Sequence, residues 1–348
     1  MQSYRIARGA GAANLRRVDG VPRALAPHDV RIRITAVSLN YRDLMMVRGD
    51  YPGGDTREIT PGSDGAGVVV AIGSAVTRHG VGDRVIASFY PNWIDGDPTP
   101  ESTAFALGGG DVGVLADELV LDEQAFVTIP DALDDAAAAT LPCAGLTAWH
   151  ALFVAATPKP GDTVLLQGTG GVSIFGLQLA KAAGLRTIVT SSDDAKLERA
   201  RALGADATVN YRTHPAWDAE VRSLTGGRGA DLVFELGGRD TLMRSIAATR
   251  MRGTIAVIGG LAGFGGELEP FALIAGQQRL AGVRVGSRAM LEDLVRFVVQ
   301  QKLAPVIDAR YGFDALPAAL AHLESGRHFG KIVLEAGSVA RPGTARAA

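Results

Sequence analysis

The 348-residue sequence has one cysteine, almost no net charge and no long hydrophobic run. Because Cys143 is alone, no intrachain disulfide can form, which fits a reducing compartment, and we expect a cytoplasmic protein. The formal net charge of −2 leaves no basic excess for phosphate backbones, so we expect no nucleic-acid partner. No apolar stretch approaches the roughly 20 residues that a membrane span requires, so we expect no membrane association.

Length and composition indicate two globular domains. Hydrophobic residues make up 47% and charged residues 21% of the chain, a balance that suits packed cores rather than disorder. A chain of this length exceeds what one core usually organises. The first third is β-rich, since residues 30–36 alternate apolar and polar side chains. Residues 91–113 are rich in Pro, Gly and Asp and are predicted to form a loop.

The middle of the sequence alternates short apolar runs with helical segments. We predict strands at 164–167, 187–190, 207–210, 232–235, 255–258 and 281–285. We predict helices between them at 172–183, 195–203, 217–224 and 242–249. This alternation predicts an α/β fold with a doubly wound parallel sheet of the Rossmann type. An amphipathic helix near 291–298 and a last strand at 331–335 complete the pattern.

A glycine-rich turn between the first of these strands and its helix is the most specific local signal. Its residues are Gly168, Thr169, Gly170, Gly171 and Val172. Such a turn lets backbone amides at a helix N-terminus approach a pyrophosphate, so we predict a dinucleotide site here. Ser173 replaces the third glycine of the usual fingerprint and is small enough to keep the motif. The alternative is a glycine turn without a ligand.

The ends of the next two strands favour NADPH over NADH. An NAD site usually has an acidic residue at the end of the second strand, where it binds the ribose 2′-hydroxyl. Here that strand ends in Ser191 and Ser192, followed by Lys196. The next strand is followed by Tyr211 and Arg212, which add a phenol and a second cation. Hydroxyl groups and cations suit a 2′-phosphate.

Two observations keep NADH open. Asp193 and Asp194 follow the same strand, and either carboxylate would repel a 2′-phosphate if it turned inward. Alternatively, Ser192 only caps a helix that begins near Ala195, and Lys196 is a solvated surface residue.

Several further motifs, together with the glycine turn, carry a family resemblance. They are Asn40-Tyr41-Arg42-Asp43, Arg48-Gly49-Asp50-Tyr51-Pro52, Pro61-Gly62-Ser63-Asp64-Gly65-Ala66-Gly67, Gly82-Asp83-Arg84-Val85, the stretch from Leu141 to Trp149, and His328-Phe329-Gly330-Lys331. The chain thereby resembles, over nearly its whole length, the medium-chain dehydrogenases/reductases, in particular the quinone oxidoreductase (zeta-crystallin-like) branch of the alcohol dehydrogenase superfamily.

The resemblance implies a domain arrangement and further site residues. A GroES-like catalytic domain would comprise 1–124 and 290–348, around a Rossmann NAD(P)-binding domain at 125–289. A homodimer would form through the edge strand at 281–286. The implied cofactor contacts are Thr147, Gly237, Ile258, Gly259, Val285, Gly286 and Lys331. Lys331 would be a cation near the pyrophosphate, with an exposed strand end as the alternative.

The same resemblance leads us to expect no zinc. Members that hold catalytic zinc use a cysteine, a Gly-His-Glu motif and a second cysteine, and these places fall on Asn40, Ser63-Asp64 and Cys143. Asparagine and serine are poor zinc ligands, and the six histidines lack metal-binding spacing. We interpret Cys143 as a small, partly buried residue, with a reactive thiol as the alternative.

Without a metal, the expected reaction is hydride transfer from NADPH to a quinone or an α,β-unsaturated carbonyl, both small molecules. The catalytic candidates are Asn40, Asp43 and Tyr51, with Arg42 as a further hydrogen-bond donor. Each has a structural alternative: Asn40 satisfies a loop backbone, Asp43 caps a helix at 44–48, and Tyr51 packs in a turn.

Three other functions stay open from the sequence. They are an alcohol dehydrogenase or aldehyde reductase, an enoyl reductase for a carrier-bound chain, and a non-catalytic NADPH-binding protein. The loop at 91–113, with Phe89, Tyr90, Trp93 and Phe105, is expected to shape the substrate pocket, and a surface lid or an interface is the alternative.

Overall fold

The computed structural model describes residues 1–52 and 57–336. The first part of the chain forms β1 (Gln2–Ala7), β2 (Arg16–Asp19), β3 (Asp29–Ser38), α1 (Tyr41–Arg48), β4 (Glu58–Ile59), β5 (Asp64–Ile72), β6 (Arg84–Ala87), α2 (Pro100–Thr103), β7 (Glu118–Asp122) and β8 (Phe126–Thr128). Short 3-10 helices lie at Ala12–Asn14, Glu123–Ala125 and Phe313–Ala315.

A helical segment then leads into the second part of the chain. It runs through α3 (Asp135–Ala139), a π-helical turn (Leu141–Gly145), α4 (Leu146–Trp149) and a second π-helical turn (His150–Ala155). The second part forms β9 (Thr163–Gln167), α5 (Gly171–Ala182), β10 (Arg186–Ser191), α6 (Asp194–Ala202), β11 (Ala207–Asn210), α7 (Trp217–Leu224), β12 (Ala230–Glu235), α8 (Leu242–Ala248), β13 (Thr249–Val257), α9 (Pro270–Gly276) and β14 (Arg279–Gly282). The last elements are α10 (Arg288–Gln300), β15 (Ile307–Gly312), α11 (Leu316–Glu324) and β16 (Lys331–Glu335).

The first domain is organised around β3, the strand predicted from the alternation at 30–36. Its sheet has the order β15-β16-β3-β5-β6-β8, and β7 also pairs with β3. Only the β15–β16 pair is parallel within this sheet. The pairing of β16 with β3 aligns Val333 with Ser38, so the start of the last strand lies beside the residues that follow β3. The last strand therefore brings Lys331 close to Asn40.

The second domain confirms the predicted Rossmann sheet. Its strands are all parallel, in the order β11-β10-β9-β12-β13-β14. This is the doubly wound order. It leaves a crevice beyond the carboxyl ends of the strands, with β9 and β10 on one side and β12 on the other. The expected α/β fold, with a β-rich domain and a parallel Rossmann sheet, is confirmed.

One predicted boundary between domains stays a prediction, and one predicted strand has different bounds in the structure. The sheet of the first domain continues through β8, past residue 124, so the division of the chain at that residue stays a prediction. The last Rossmann strand was predicted at 281–285, but β14 ends at Gly282. Val285 has a positive φ of 44°, which a regular strand does not contain. Among the described helices, none combines the length and apolar character needed to cross a membrane.

Candidate active site

A cleft of about 490 Å³ lies where the Rossmann strand ends face α1 and the start of β16. All but three of the predicted site residues line it; the exceptions are Asp43, Gly237 and Gly286. Thr147 on α4, and Ile258 and Gly259 after β13, line the middle of the cleft. One region of the lining consists of the glycine turn and the residues after β10 and β11, which we term the ribose end after the predicted cofactor contact, and another is aromatic and lies near α1.

The glycine turn forms one wall of the cleft. Gly168 has a φ of +74°, a conformation that L-residues rarely adopt. Gly170 precedes the first residue of α5, so the free amides of the helix N-terminus face the cleft, as a pyrophosphate site requires. Ser173, in place of the third glycine, is buried and donates from Oγ to Gln167 O at 2.6 Å. A serine therefore joins the strand to the helix by a hydrogen bond at this position.

Two aspartates after β10 are held away from the cleft. Asp193 caps α6, since its Oδ1 accepts from Lys196 N at 3.2 Å; the alternative that Ser192 caps this helix is wrong. Asp194 accepts from Asn210 Nδ2 at 2.7 Å. Neither aspartate is among the described residues that line the cleft.

The ribose end of the cleft instead has hydroxyl groups and a cation. It is lined by Ser191, Ser192, Lys196 and Tyr211. The Lys196 ammonium donates to Gly326 O on the other side of the cleft, so Lys196 is not a freely solvated surface residue. Arg212, expected as a second cation, is not among the described lining residues.

The floor of the cleft is a buried polar network between β9 and β12. Gln167 Oε1 accepts from the backbone amides of Leu236 and Gly237 at 3.0 and 3.1 Å. Gln167 Nε2 donates to Glu235 Oε2 at 2.9 Å and to Ser245 Oγ at 2.7 Å. Gly237 is therefore part of this support and not of the cleft lining, which corrects the prediction. The network holds the two strand ends in one arrangement.

Val285 contributes a strained backbone to the cleft. Its φ of +44° is unfavourable for a β-branched residue, at a cost of order 1–3 kcal/mol. His150 Nδ1 donates to Val285 O at 2.9 Å and holds this peptide. Gly286 does not line the cleft, because it packs against α4; a Cβ there would lie 2.9 Å from Leu146.

Asn40 and Asp43 form the start of α1. Asn40 is the N-cap residue of the helix, and its backbone N–H donates to Asp43 Oδ2 at 2.8 Å. Asp43 is thus the N3 residue of a capping box at the start of α1. The alternative that Asp43 caps a helix at 44–48 is wrong. Its carboxyl group is buried behind Asn40 and does not line the cleft. Burial raises the pKa of Asp43 to about 6, although the Asn40 amide and Arg42 oppose this.

Five buried or partly buried residues, Asn40, Ser63, Asp64, Cys143 and Lys331, form what we term the Lys331 cluster. The Lys331 ammonium donates to Asn40 Oδ1 and, at 2.6 Å, to the backbone oxygen that precedes Asn40. Asn40 Nδ2 donates to Ser63 Oγ at 3.3 Å, and Ser63 Oγ donates to Asp64 Oδ1 at 2.8 Å. Cys143 N donates to Asp64 Oδ2 at 3.1 Å.

Burial dominates the protonation of the other groups in this cluster. It raises the pKa of the Asp64 carboxyl, while Lys331 lowers it. Burial, followed by the nearby Asp64 charge, raises the pKa of the Cys143 thiol. Cys143 is therefore protonated at neutral pH, as its interpretation as a small packing residue implies, and is not an activated nucleophile. Lys331 is 3% exposed, so the alternative of an exposed strand end is wrong.

The region of the cleft near α1 is aromatic and positively charged. The Arg42 guanidinium lies 4.8 Å from the Phe89 ring centre and 5.4 Å from that of Tyr51. Arg284 Nε donates to Tyr90 Oη at 3.2 Å. Burial raises the pKa of the Tyr90 phenol, with Arg284 opposing it, so Tyr90 stays protonated and can donate a hydrogen bond.

Comparison with known proteins identifies the family. The alcohol dehydrogenase GroES-like domain family matches residues 26–131, and the zinc-binding dehydrogenase family matches residues 171–300. The chain is 41% identical to a zinc-type alcohol dehydrogenase-like protein of Schizosaccharomyces pombe, over 90% of this chain and 93% of that protein. The chain belongs to the medium-chain dehydrogenase/reductase family of the alcohol dehydrogenase superfamily.

Other members show the same relation. A quinone oxidoreductase of Pseudomonas aeruginosa is 33% identical over 70% of this chain and 69% of its own length. The crystal structure of an NAD-dependent alcohol dehydrogenase superposes with a TM-score of 0.87 at 34% identity, covering 97% of this chain and all of that one. As a member of this family, the protein is an NAD(P)-dependent oxidoreductase.

Some residues of this dehydrogenase/reductase cleft differ from the sequence expectations. Trp93 is buried, with Nε1 donating to Gly96 O, and Phe105 packs against the core of the first domain; neither lines the cleft. Arg284, Leu261 and Phe264 line it and were missed. Arg284 lies between two valines of a predicted strand, and Leu261 and Phe264 lie in a Gly-rich stretch. No periodic sequence pattern therefore indicated that these three residues line a cleft.

Proposed function

We propose that the protein is a zinc-free, NADPH-dependent reductase that transfers hydride to a quinone or an α,β-unsaturated carbonyl. The observation that carries this proposal is the Lys331 cluster. The positions at which zinc-holding family members have their ligands are linked here into a hydrogen-bonded chain that ends on a buried ammonium.

These residues do not fit a catalytic zinc ion. The Asn40 oxygen already accepts from Lys331, and among the described residues no third Cys, His, Asp or Glu joins Asp64 and Cys143 in a group that could hold a metal ion. A dication would also be repelled by the adjacent ammonium. Zinc requires three good donors and an open position, and this set supplies at most two, the Asp64 carboxylate and the Cys143 thiol.

The cleft fits a dinucleotide with a 2′-phosphate. The amides of the glycine turn would hold the pyrophosphate, and Ser192, Lys196 and Tyr211 would surround the 2′-phosphate. The bound nicotinamide supplies hydride. Thr147 and the strained Val285 peptide form the wall that would orient its ring.

The remaining residues suit an acceptor that is already electrophilic. Hydride addition to the β-carbon of an enone, or to a quinone, moves an electron pair onto the carbonyl oxygen, which then takes a proton. Asn40, Arg42 and the protonated Tyr90 offer positive charge and N–H or O–H donors on that side of the cleft. Phe89 and Tyr51 supply flat apolar surfaces against which a quinone ring or enone can pack.

An alcohol dehydrogenase or aldehyde reductase is the second candidate. It is favoured by the names of the Schizosaccharomyces pombe protein and of the NAD-dependent alcohol dehydrogenase with the similar fold. An aldehyde lacks the conjugation that spreads the developing charge, so its reduction depends more strongly on a Lewis acid.

Turnover on chelator-treated protein separates the two candidates. We expect NADPH oxidation with a quinone or an enone before any metal is returned, and slower oxidation of NADH. A simple aldehyde is the parallel substrate, and zinc is then added back to every reaction. Activity confined to the aldehyde or its alcohol, and only after zinc is restored, would contradict the proposal and require Asp64 and Cys143 to bind metal.

A further inference from the structure

Lys331 is directed toward the first domain rather than toward the glycine turn. It begins β16, and its ammonium donates to the backbone oxygen of Leu39 and to Asn40 Oδ1. Its methylene stem passes Gly171, where a Cβ would lie 2.6 Å from Lys331 Cδ. The lysine stem thus packs against the glycine turn, but the ammonium group contacts residues at the start of α1. The family resemblance implies instead that this ammonium contacts the pyrophosphate.

The hydrogen bonds of the Lys331 cluster have one consistent direction. An ammonium only donates, so the Asn40 atom facing it is the amide oxygen. Asn40 Nδ2 must then face Ser63, whose hydroxyl hydrogen is free for Asp64. Asp64, fully buried, completes the chain as the acceptor. Lys331 therefore fixes the orientation of each amide and hydroxyl group in the cluster.

The charge of Lys331 is not neutralised by direct contact. Both of its acceptors are neutral oxygens, and within residues 1–52 and 57–336 the ammonium forms no ion pair. Asp43 and Asp64 are close enough for Lys331 to lower the pKa of each carboxyl group, but they do not touch it. The side chain also borders the cleft. A buried positive charge thus stands beside Asn40 at the reacting end.

We propose that Lys331 is a positioning residue of the reaction centre. It holds Asn40 in one orientation and provides, through Asn40, the positive potential that stabilises charge on the substrate oxygen. This inference rests on the proposed function, and it assigns to an ammonium the place that other family members give to a metal. Preorganised charge of this kind stabilises a transition state more than a ground state, so Lys331 acts on kcat.

Replacement of Lys331 tests this role against pyrophosphate binding. For Lys331→Met we expect kcat with the best quinone or enone to fall about 10- to 100-fold. The Kd for NADPH, from nicotinamide fluorescence, should stay within about twofold of the wild type. Lys331→Arg keeps a donating cation and should recover most of the lost kcat. Thermal unfolding of each variant checks that the fold is retained.

A double-mutant cycle tests whether Lys331 acts through Asn40. In an Asn40→Ala background, Lys331→Met should lower kcat by less than about threefold, because its partner is already absent. Lys181→Ala is the control, because Lys181 pairs with Asp206 away from the cleft; it should leave both kcat and the NADPH Kd unchanged. Equal effects of Lys331→Met in both backgrounds, or a raised NADPH Kd with kcat intact, would refute the inference.

The orientation of Asn40 can be followed without turnover. Its side-chain amide resonances are identified by their loss in Asn40→Asp. We expect two well-separated hydrogens in the wild type and a shifted, averaged pair in Lys331→Met. Unchanged resonances in Lys331→Met overturn the positioning role even if no substrate is found. A wild type inactive on quinones and enones, with the amide shift present, contradicts only the proposed function.

Discussion

In the proposed function, Lys196 lies beside the ribose 2′-position, where NADPH and NADH differ. Its ammonium is the cation that lines the ribose end of the cleft, and the nearby aspartates are engaged with a helix N-terminus and with Asn210. For Lys196→Ala we expect a Kd for NADPH that is about 10- to 100-fold higher, because a charge-assisted hydrogen bond is lost. The Kd for NADH should change little. Titration of nicotinamide fluorescence measures both.

Lys181 provides the control for this substitution. It lies on α5 in the same domain and pairs with Asp206, away from the cleft. Lys181→Ala changes the net charge by the same amount and should leave both cofactor affinities unchanged. An equal loss of NADPH and NADH affinity in Lys196→Ala would instead mean that this lysine holds the cleft closed through Gly326.

The buried Asp43 carboxyl predicts a pH-dependent stability. Its pKa is raised to about 6 from an ordinary value of 3.8, so the folded protein binds more protons than the unfolded chain between those values. The contribution of Asp43 to the free energy of unfolding is therefore present at low pH and is lost as the pH rises from 3.8 to about 6. Asp43→Asn keeps an acceptor for the Asn40 amide and cannot ionise. Above pH 6 we expect it to be more stable than the wild type, by up to about 3 kcal/mol.

Urea unfolding of the wild type and Asp43→Asn across pH 4 to 7 measures this difference. His328 acts in the opposite direction, because burial lowers its pKa to about 4 and destabilises the folded protein as pH falls. His328 is present in both proteins, so its effect cancels in the comparison. A constant difference across the pH range would show that Asp43 titrates normally.

Strand β14 and helix α9 form an unprotected edge of the Rossmann sheet. Among the described strands, β14 pairs only with β13. Phe271 and Ile274 on the neighbouring α9 are 69% and 68% exposed. Exposed strand edges beside apolar side chains favour self-association, and two-fold dimers are the commonest assembly. We therefore expect a homodimer through Arg279–Gly282 and α9, a shorter strand than the 281–286 segment that the sequence suggested.

Light scattering during size-exclusion chromatography tests this expectation. The wild type should have the mass of a dimer, and the double substitution Phe271→Asp with Ile274→Asp should have that of a monomer. Val81→Asp is the control, because Val81 is equally exposed but belongs to the first domain. A monomeric wild type at micromolar concentration would exclude the dimer.

At the scale of the whole molecule, the sequence predicted the Rossmann half well. Strand and helix periods are local, and the predicted bounds of β11 and α7 coincide with those observed, as do those of β16 in the first domain. The glycine turn also identified its wall of the cleft, because the conformation of Gly168 and the opening of α5 depend on residues within one loop.

The parts that could not be predicted depend on distant partners. Lys331 is positioned by Leu39 and Asn40, which are close to it only because β16 pairs with β3. The strain at Val285 follows from packing and the bond from His150, whereas its sequence context suggested a strand. Gly237 and Gly286 matched a cofactor pattern but serve support and packing instead.

The close passage of Lys331 over Gly171 limits how the two domains can be exchanged between relatives. Gly330 N donates to Thr169 O at 3.0 Å, and a Cβ at Gly171 would lie 2.6 Å from Lys331 Cδ, so a larger residue there would displace the lysine stem. A chimera that receives another protein's cofactor domain must therefore bring a glycine to this position and keep its own residue at 331 compatible with it. The two domains are therefore matched to each other at this contact, although each has its own sheet and core.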